Sequence, residues 1–176
     1  MSYDFTVAEQ DVLIATTVFL VQRGVTPYQF SVAAGRGVDT SGTTERLRKA
    51  FAAIAPRFSG DGPDILGISE SEWWVVECKG AGFGKPPTQR NNFDRALASV
   101  VSYFEEKPQG FPPEFENAKV YLGLALPATR AYLNELRRRV RSPLRTRLNL
   151  WVLLYELESK SVRAVSPEEP FDAVNA

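Results

Sequence analysis

Histidine is absent from this 176-residue chain, and cysteine occurs once, at Cys78. Without histidine there can be no Ser-His-Asp or Cys-His nucleophilic site, no histidine-dependent nuclease chemistry and no ordinary zinc finger, and a lone cysteine excludes an internal disulfide. Any chemistry must run on carboxylates, lysine, hydroxyls or amides. Net charge is missing too: Lys+Arg and Asp+Glu each number 21, so the molecule as a whole is drawn neither to nucleic acid nor to anionic membrane. The apolar run from Val12 to Val21 is too short to cross a bilayer. Met1 to Asp11 carries Asp4, Glu9 and Asp11 with no basic residue, so neither a signal peptide nor an anchor is expected. With a single thiol, the expected location is the cytoplasm.

What is present is an ordinary globular composition, 44% hydrophobic and 24% charged. One domain over residues 1–158 is expected, followed by an acidic, irregular tail over 159–176. Apolar periodicity predicts a helix from Thr6 to Arg23 stopped by Gly24, then a strand from Thr26 to Ala34. A helix capped by Thr43 or Thr44 should run to about Ala55. Asp64 to Ile68 and Trp73 to Lys79 read as a hairpin turning at Ser69 to Glu72. A glycine-rich loop, Gly80 to Pro87, leads to a helix over Gln89 to Phe104. Strand Val120 to Leu126, helix Thr129 to Val140 and strand Leu148 to Leu157 complete the order. The fold class this predicts is α/β, a mixed β-sheet flanked by helices on both faces, with Trp73, Trp74 and Trp151 in the core.

Glu77 and Lys79 are two apart on a strand, so their side chains leave one face while Val76 and Cys78 enter the opposite layer. Asp64 opens the partner strand thirteen positions before Glu77, and the hairpin folds it back beside that residue. Two carboxylates and a lysine therefore converge. Neighbouring carboxylates repel, and a hard divalent cation with oxygen ligands relieves the repulsion, which predicts a site for Mg²⁺ or Mn²⁺.

Pro63-Asp64 together with Glu77-Cys78-Lys79 resembles the signature of the PD-(D/E)XK nucleases, the restriction-endonuclease-like superfamily. The element order from Thr6 to Leu126 is similar to that fold, with the helix after Thr43 or Thr44 as an insertion. Gln89 and Phe93 resemble a Q-x-x-x-Y element in which phenylalanine replaces tyrosine. The resemblance implies that Asp64, Glu77 and the Cys78 carbonyl bind the metal and that Lys79 orients or activates the attacking water. It also implies a role for Gln89 and an extra acid from the first helix, Glu9, with Glu45 as the alternative. Two other acid-x-Lys triplets, Glu105-Glu106-Lys107 and Glu158-Ser159-Lys160, lack the strand and hairpin context.

Seven arginines lie between Arg130 and Arg147 against one acid, Glu135, and guanidinium forks suit phosphate. Lys85, Arg90, Arg130, Arg137, Arg138 and Arg141 are accordingly expected to contact nucleic acid. The function this predicts is metal-dependent phosphodiester hydrolysis, of DNA first, with a homodimer or larger complex supplying target selection. Two readings stand beside it: a catalytically silent nuclease-fold module binding nucleic acid or a protein, and an unrelated α/β protein docking an acidic partner.

Overall fold

The structure, a computed structural model, describes residues 6–32, 40–82, 86–104 and 117–171. Its elements are α1 (Glu9–Gln22), β1 (Thr26–Ser31), α2 (Thr40–Ala50), β2 (Arg57–Ser59), β3 (Ile65–Ile68) and β4 (Glu72–Cys78). They continue with α3 (Pro86–Ser102), β5 (Lys119–Pro127), α4 (Arg130–Arg139), α5 (Ser142–Leu148), β6 (Leu150–Glu156) and β7 (Ser161–Val165). The described strands form one seven-stranded mixed sheet in the order β2-β1-β3-β4-β5-β6-β7. β3 is antiparallel to both β1 and β4, β5 runs parallel to β4 and β6, and β7 closes the far edge antiparallel.

Strand alternation assigns the faces. A Cβ on Gly67 would press on Leu20, Val25 and Trp74, so the face carrying Trp74, Val76 and Cys78 lies under α1. The opposite face, carrying Val75 and Glu77, lies under α3, beside which α4 packs. The central strands β5 and β6 are covered on both sides, which is why every residue from Leu122 to Pro127 and from Val152 to Tyr155 is buried. Helix α1 is apolar around most of its circumference. It ends where Gly24 takes φ +83, letting Val25 N–H bond back to the Leu20 carbonyl at 2.9 Å. Among the described residues no helix is long and apolar enough to cross a membrane.

Four sequence expectations are corrected. Residues 159–176 are not simply irregular, because Ser161–Val165 pairs with β6 from Val152↔Val165 to Glu156↔Ser161. A turn through Lys160 at φ 53 and the Arg163–Glu156 ion pair, 2.7 Å, hold that short edge strand in place. Second, α2 begins at Thr40, so Thr43 and Thr44 lie inside the helix; it ends at Ala50, ahead of the turn that leads to Ala55 at φ 50. Third, β2, a three-residue strand parallel to β1, occupies Arg57–Ser59. Fourth, α5 intervenes before β6, entered through Pro143 in its first turn and stopped by Asn149 in the left-handed region at φ 48.

At the start of β4, Trp74 stacks on Tyr121 with centroids 5.1 Å apart, and the Arg23 guanidinium lies over Trp74 and Trp151. Glu72 joins them, accepting from Arg23 and from Trp74 Nε1 at 2.8 Å. Trp73 and Trp74 are buried as expected, while Trp151 is half-buried against this cluster.

Candidate functional site

The site forms at the other end of β4. Ile65 pairs with Val76, so continuing the antiparallel register by one residue sets Asp64 opposite Glu77. The Cys78 N–H donates to Asp64 Oδ2 at 2.7 Å, and the Asp64 carbonyl accepts from Ser31 N–H at 3.2 Å. An extended residue sends its N–H and C=O towards the same neighbouring strand, so the Cys78 carbonyl also lies on the Asp64 side of β4. The Cys78 side chain is fully buried beneath. Burial and then the surrounding carboxylates hold its thiol well above the usual range, which removes it as a nucleophile.

Lys79 follows on the Glu77 face, its backbone N–H bonded to the Ala125 carbonyl at 2.9 Å. Its Nζ meets Glu9 Oε2 at 3.0 Å. What brings Glu9 there is a bridge between Val7 and Ala81, with hydrogen bonds of 2.7 and 3.0 Å, which lays the entry to α1 against the chain leaving β4. Gly80 is required at this crossing, since a Cβ there would sit 2.7 Å from Glu9 N and collide with the Val7 carbonyl. From α4, Tyr132 donates its hydroxyl to the Gly80 carbonyl at 2.8 Å and fixes the same loop.

The electrostatics follow from this crowding. Asp64 is pushed up to about 8, first by burial and next by the Glu77 charge, against the pull of the Cys78 N–H. Glu77 rises to about 7, again through burial, with Glu9 adding to it while Lys79, a Ser99 hydroxyl bond and Arg95 work against it. Burial opposes the charge on Lys79, yet its contact with Glu9 prevails and raises its pKa. Tyr103, under burial and the fields of Glu77 and Asp64, rises to about 12.

Asp64, Glu77, Lys79 and Glu9 are thus brought together. Glu45 is exposed on α2 and exerts no resolved effect on these groups, so Glu9 is the acid beside Lys79. Among the described residues Gln89 makes no hydrogen bond to the cluster, and Phe93 is fully buried between Tyr132 and the Arg139 guanidinium. Lys85 lies outside the described residues, as do the Glu105 triplet and most of the glycine-rich loop's tip. Arg90 is exposed on α3.

On α4, Tyr132, Leu136 and Val140 are buried as their spacing predicts, and Thr129 caps the helix. The arginine cluster is not one solvated face. Arg130, Arg138 and Arg141 are exposed and Arg137 is half-buried. Arg138 is bound by Glu135 at 2.8 Å, and Arg139 is bound by Asp94 and Glu135. Arg145 is wholly buried, donating to the Ser166 and Glu169 carbonyls with its guanidinium 4.3 Å from the Phe171 ring centroid.

The sequence reading missed Arg95 and Ser99, four apart on α3, which act on Glu77, and Tyr103 just beyond the end of that helix, which feels the Glu77 charge. No sequence signal singles them out, since polar residues also crowd the first half of α3.

Among the described residues no three His, Cys, Asp or Glu side chains gather closely enough to hold a metal ion. Asp64, Glu77 and Cys78 offer two carboxylates and one backbone carbonyl at this end of β4. Mg²⁺ is commonly held by one or two carboxylates and keeps several waters, so these residues fit that ion. The fold and site define an α/β protein with a half-buried carboxylate pair at the end of a mixed sheet. No family model, curated protein or solved structure matches the chain.

Proposed function

We propose that the chain is a divalent-metal-dependent nuclease of the PD-(D/E)XK kind, hydrolysing phosphodiester bonds of DNA. One observation carries the reading: two half-buried carboxylates, Asp64 and Glu77, face each other with Lys79 on the same side of the strand. Raised carboxyl pKa values in a crowded site are the expected cost of assembling anions for a cation that completes them. With α2 and β2 set aside as an insertion after β1, the order helix, strand, antiparallel hairpin, helix, parallel strand from α1 to β5 supports the restriction-endonuclease-like assignment.

In this reading Asp64, Glu77 and the Cys78 carbonyl hold Mg²⁺ or Mn²⁺. The ion would lower the pKa of a bound water and offset the charge that gathers on the phosphate. Lys79 stays cationic because Glu9 stabilises its charge, so it orients the water or a phosphate oxygen by donating a hydrogen bond, and it does not act as the base. Tyr132 keeps the Gly80 turn, and with it Lys79, in register.

The test is incubation with linear, circular, nicked and branched DNA in Mg²⁺ or Mn²⁺, beside an Asp64→Ala variant. Cleavage by the parent and none by the variant supports the reading. Binding without cleavage of any substrate overturns it in favour of a silent binding module.

A further inference from the structure

We propose that Arg95 binds a backbone phosphate of the nucleic acid at the lip of the carboxylate site, a role that rests on the nuclease reading above. Arg95 is exposed on α3, one helical turn before Ser99, whose hydroxyl holds Glu77. Residues four apart share a helix face, so the guanidinium emerges on the side of the cluster and within reach of its field.

Its charge is not committed elsewhere. Among the described residues no carboxylate lies within ion-pair distance of Arg95, and the adjacent Asp94 is taken by Arg139. Of the α4 arginines that sequence alone favours, Arg138 is neutralised by Glu135 and Arg137 is half-buried, while Arg130 and Arg141 are exposed at the two ends of that helix. An exposed guanidinium that feels the Glu77 field but lies outside ion-pair distance of any described carboxylate is suited to a mobile phosphate diester, which it can grip through two parallel N–H bonds. Substrate then passes the Arg95 and Ser99 face of α3.

The experiment measures binding of a short fluorescein-labelled DNA duplex in chelator, against salt, for the parent, Arg95→Gln and Arg138→Gln, alongside cleavage in Mg²⁺. Arg95→Gln should weaken binding about five-fold and reduce the slope of log affinity against log salt by about one. Arg138→Gln should change neither, and all three should melt together. Parallel lines of equal height for the parent and Arg95→Gln, or an equal loss in Arg138→Gln, overturn the assignment even if the parent cleaves DNA normally. A parent that neither binds nor cleaves DNA overturns the nuclease reading and this role with it.

Discussion

Asp64 and Cys78 are tied across the hairpin by a bond from the Cys78 N–H to Asp64 Oδ2, 2.7 Å long. That bond fixes a carboxylate at the mouth of β4 while Glu77, one residue earlier on the strand, stands opposite it. The protein therefore carries the cost of two adjoining acids in a place where they cannot turn away from each other.

Stability without metal should fall as pH rises. The ordinary values of these carboxyls are 3.8 and 4.5, and in the folded chain they stand at about 8 and about 7. Between those limits the folded state holds protons that the unfolded state has released, so each step up in pH favours unfolding. Thermal melts in chelator should decline from about pH 5 to about pH 8. The Asp64→Asn, Glu77→Gln double variant should be nearly level over that range and more stable than the parent at its upper end. A parent whose stability rises through this window would contradict the like-charge account.

Lys79 should matter to the reaction and not to metal uptake. Lys79→Ala should keep the Mg²⁺-induced rise in melting temperature, larger at high pH because the ligands must be deprotonated. Its cleavage rate should drop about 100-fold or more. Undiminished cleavage would remove Lys79 from the mechanism, and loss of the Mg²⁺ response would make it part of the metal site.

Glu72 should be structural. Glu72→Ala leaves the buried Trp74 Nε1–H without its acceptor and frees Arg23, which should cost about 2 kcal/mol in chemical denaturation. Metal response and cleavage should persist, since Glu72 opens β4 and Glu77 lies at its far end.

Arg145 should outweigh every other arginine in stability. Arg145→Met strands the Ser166 and Glu169 carbonyls and should cost about 3 kcal/mol, whereas Arg138→Gln, which breaks an exposed pair, should cost almost nothing. Denaturation midpoints of the two variants decide this.

The carboxylate pair was legible because the hairpin is: two alternating strands around a polar turn leave little choice of register, and counting back from Glu77 lands on Asp64. Glu9 was reached through resemblance, since the Val7–Ala81 bridge that delivers it leaves no periodic trace in either segment. β7 escaped notice because Ser-Val-Arg-Ala-Val is short, with a charge at its centre, and pairs along one edge only. Arginine composition misled for a related reason. A guanidinium bound to main-chain carbonyls, as in Arg145, is indistinguishable in sequence from one facing water.

The partners of Arg145 have a temporal meaning as well as a spatial one. Ser166 and Glu169 lie 21 and 24 residues beyond it, so a chain made from its N-terminus displays this guanidinium long before the carbonyls that receive it exist. Glu9, Asp64, Glu77 and Lys79 all emerge earlier. Until residues 161–169 arrive, α5 has no latch and β6 keeps a bare edge open to foreign strands. The carboxylate cluster is thus complete in sequence before the strand that closes the far edge of the sheet.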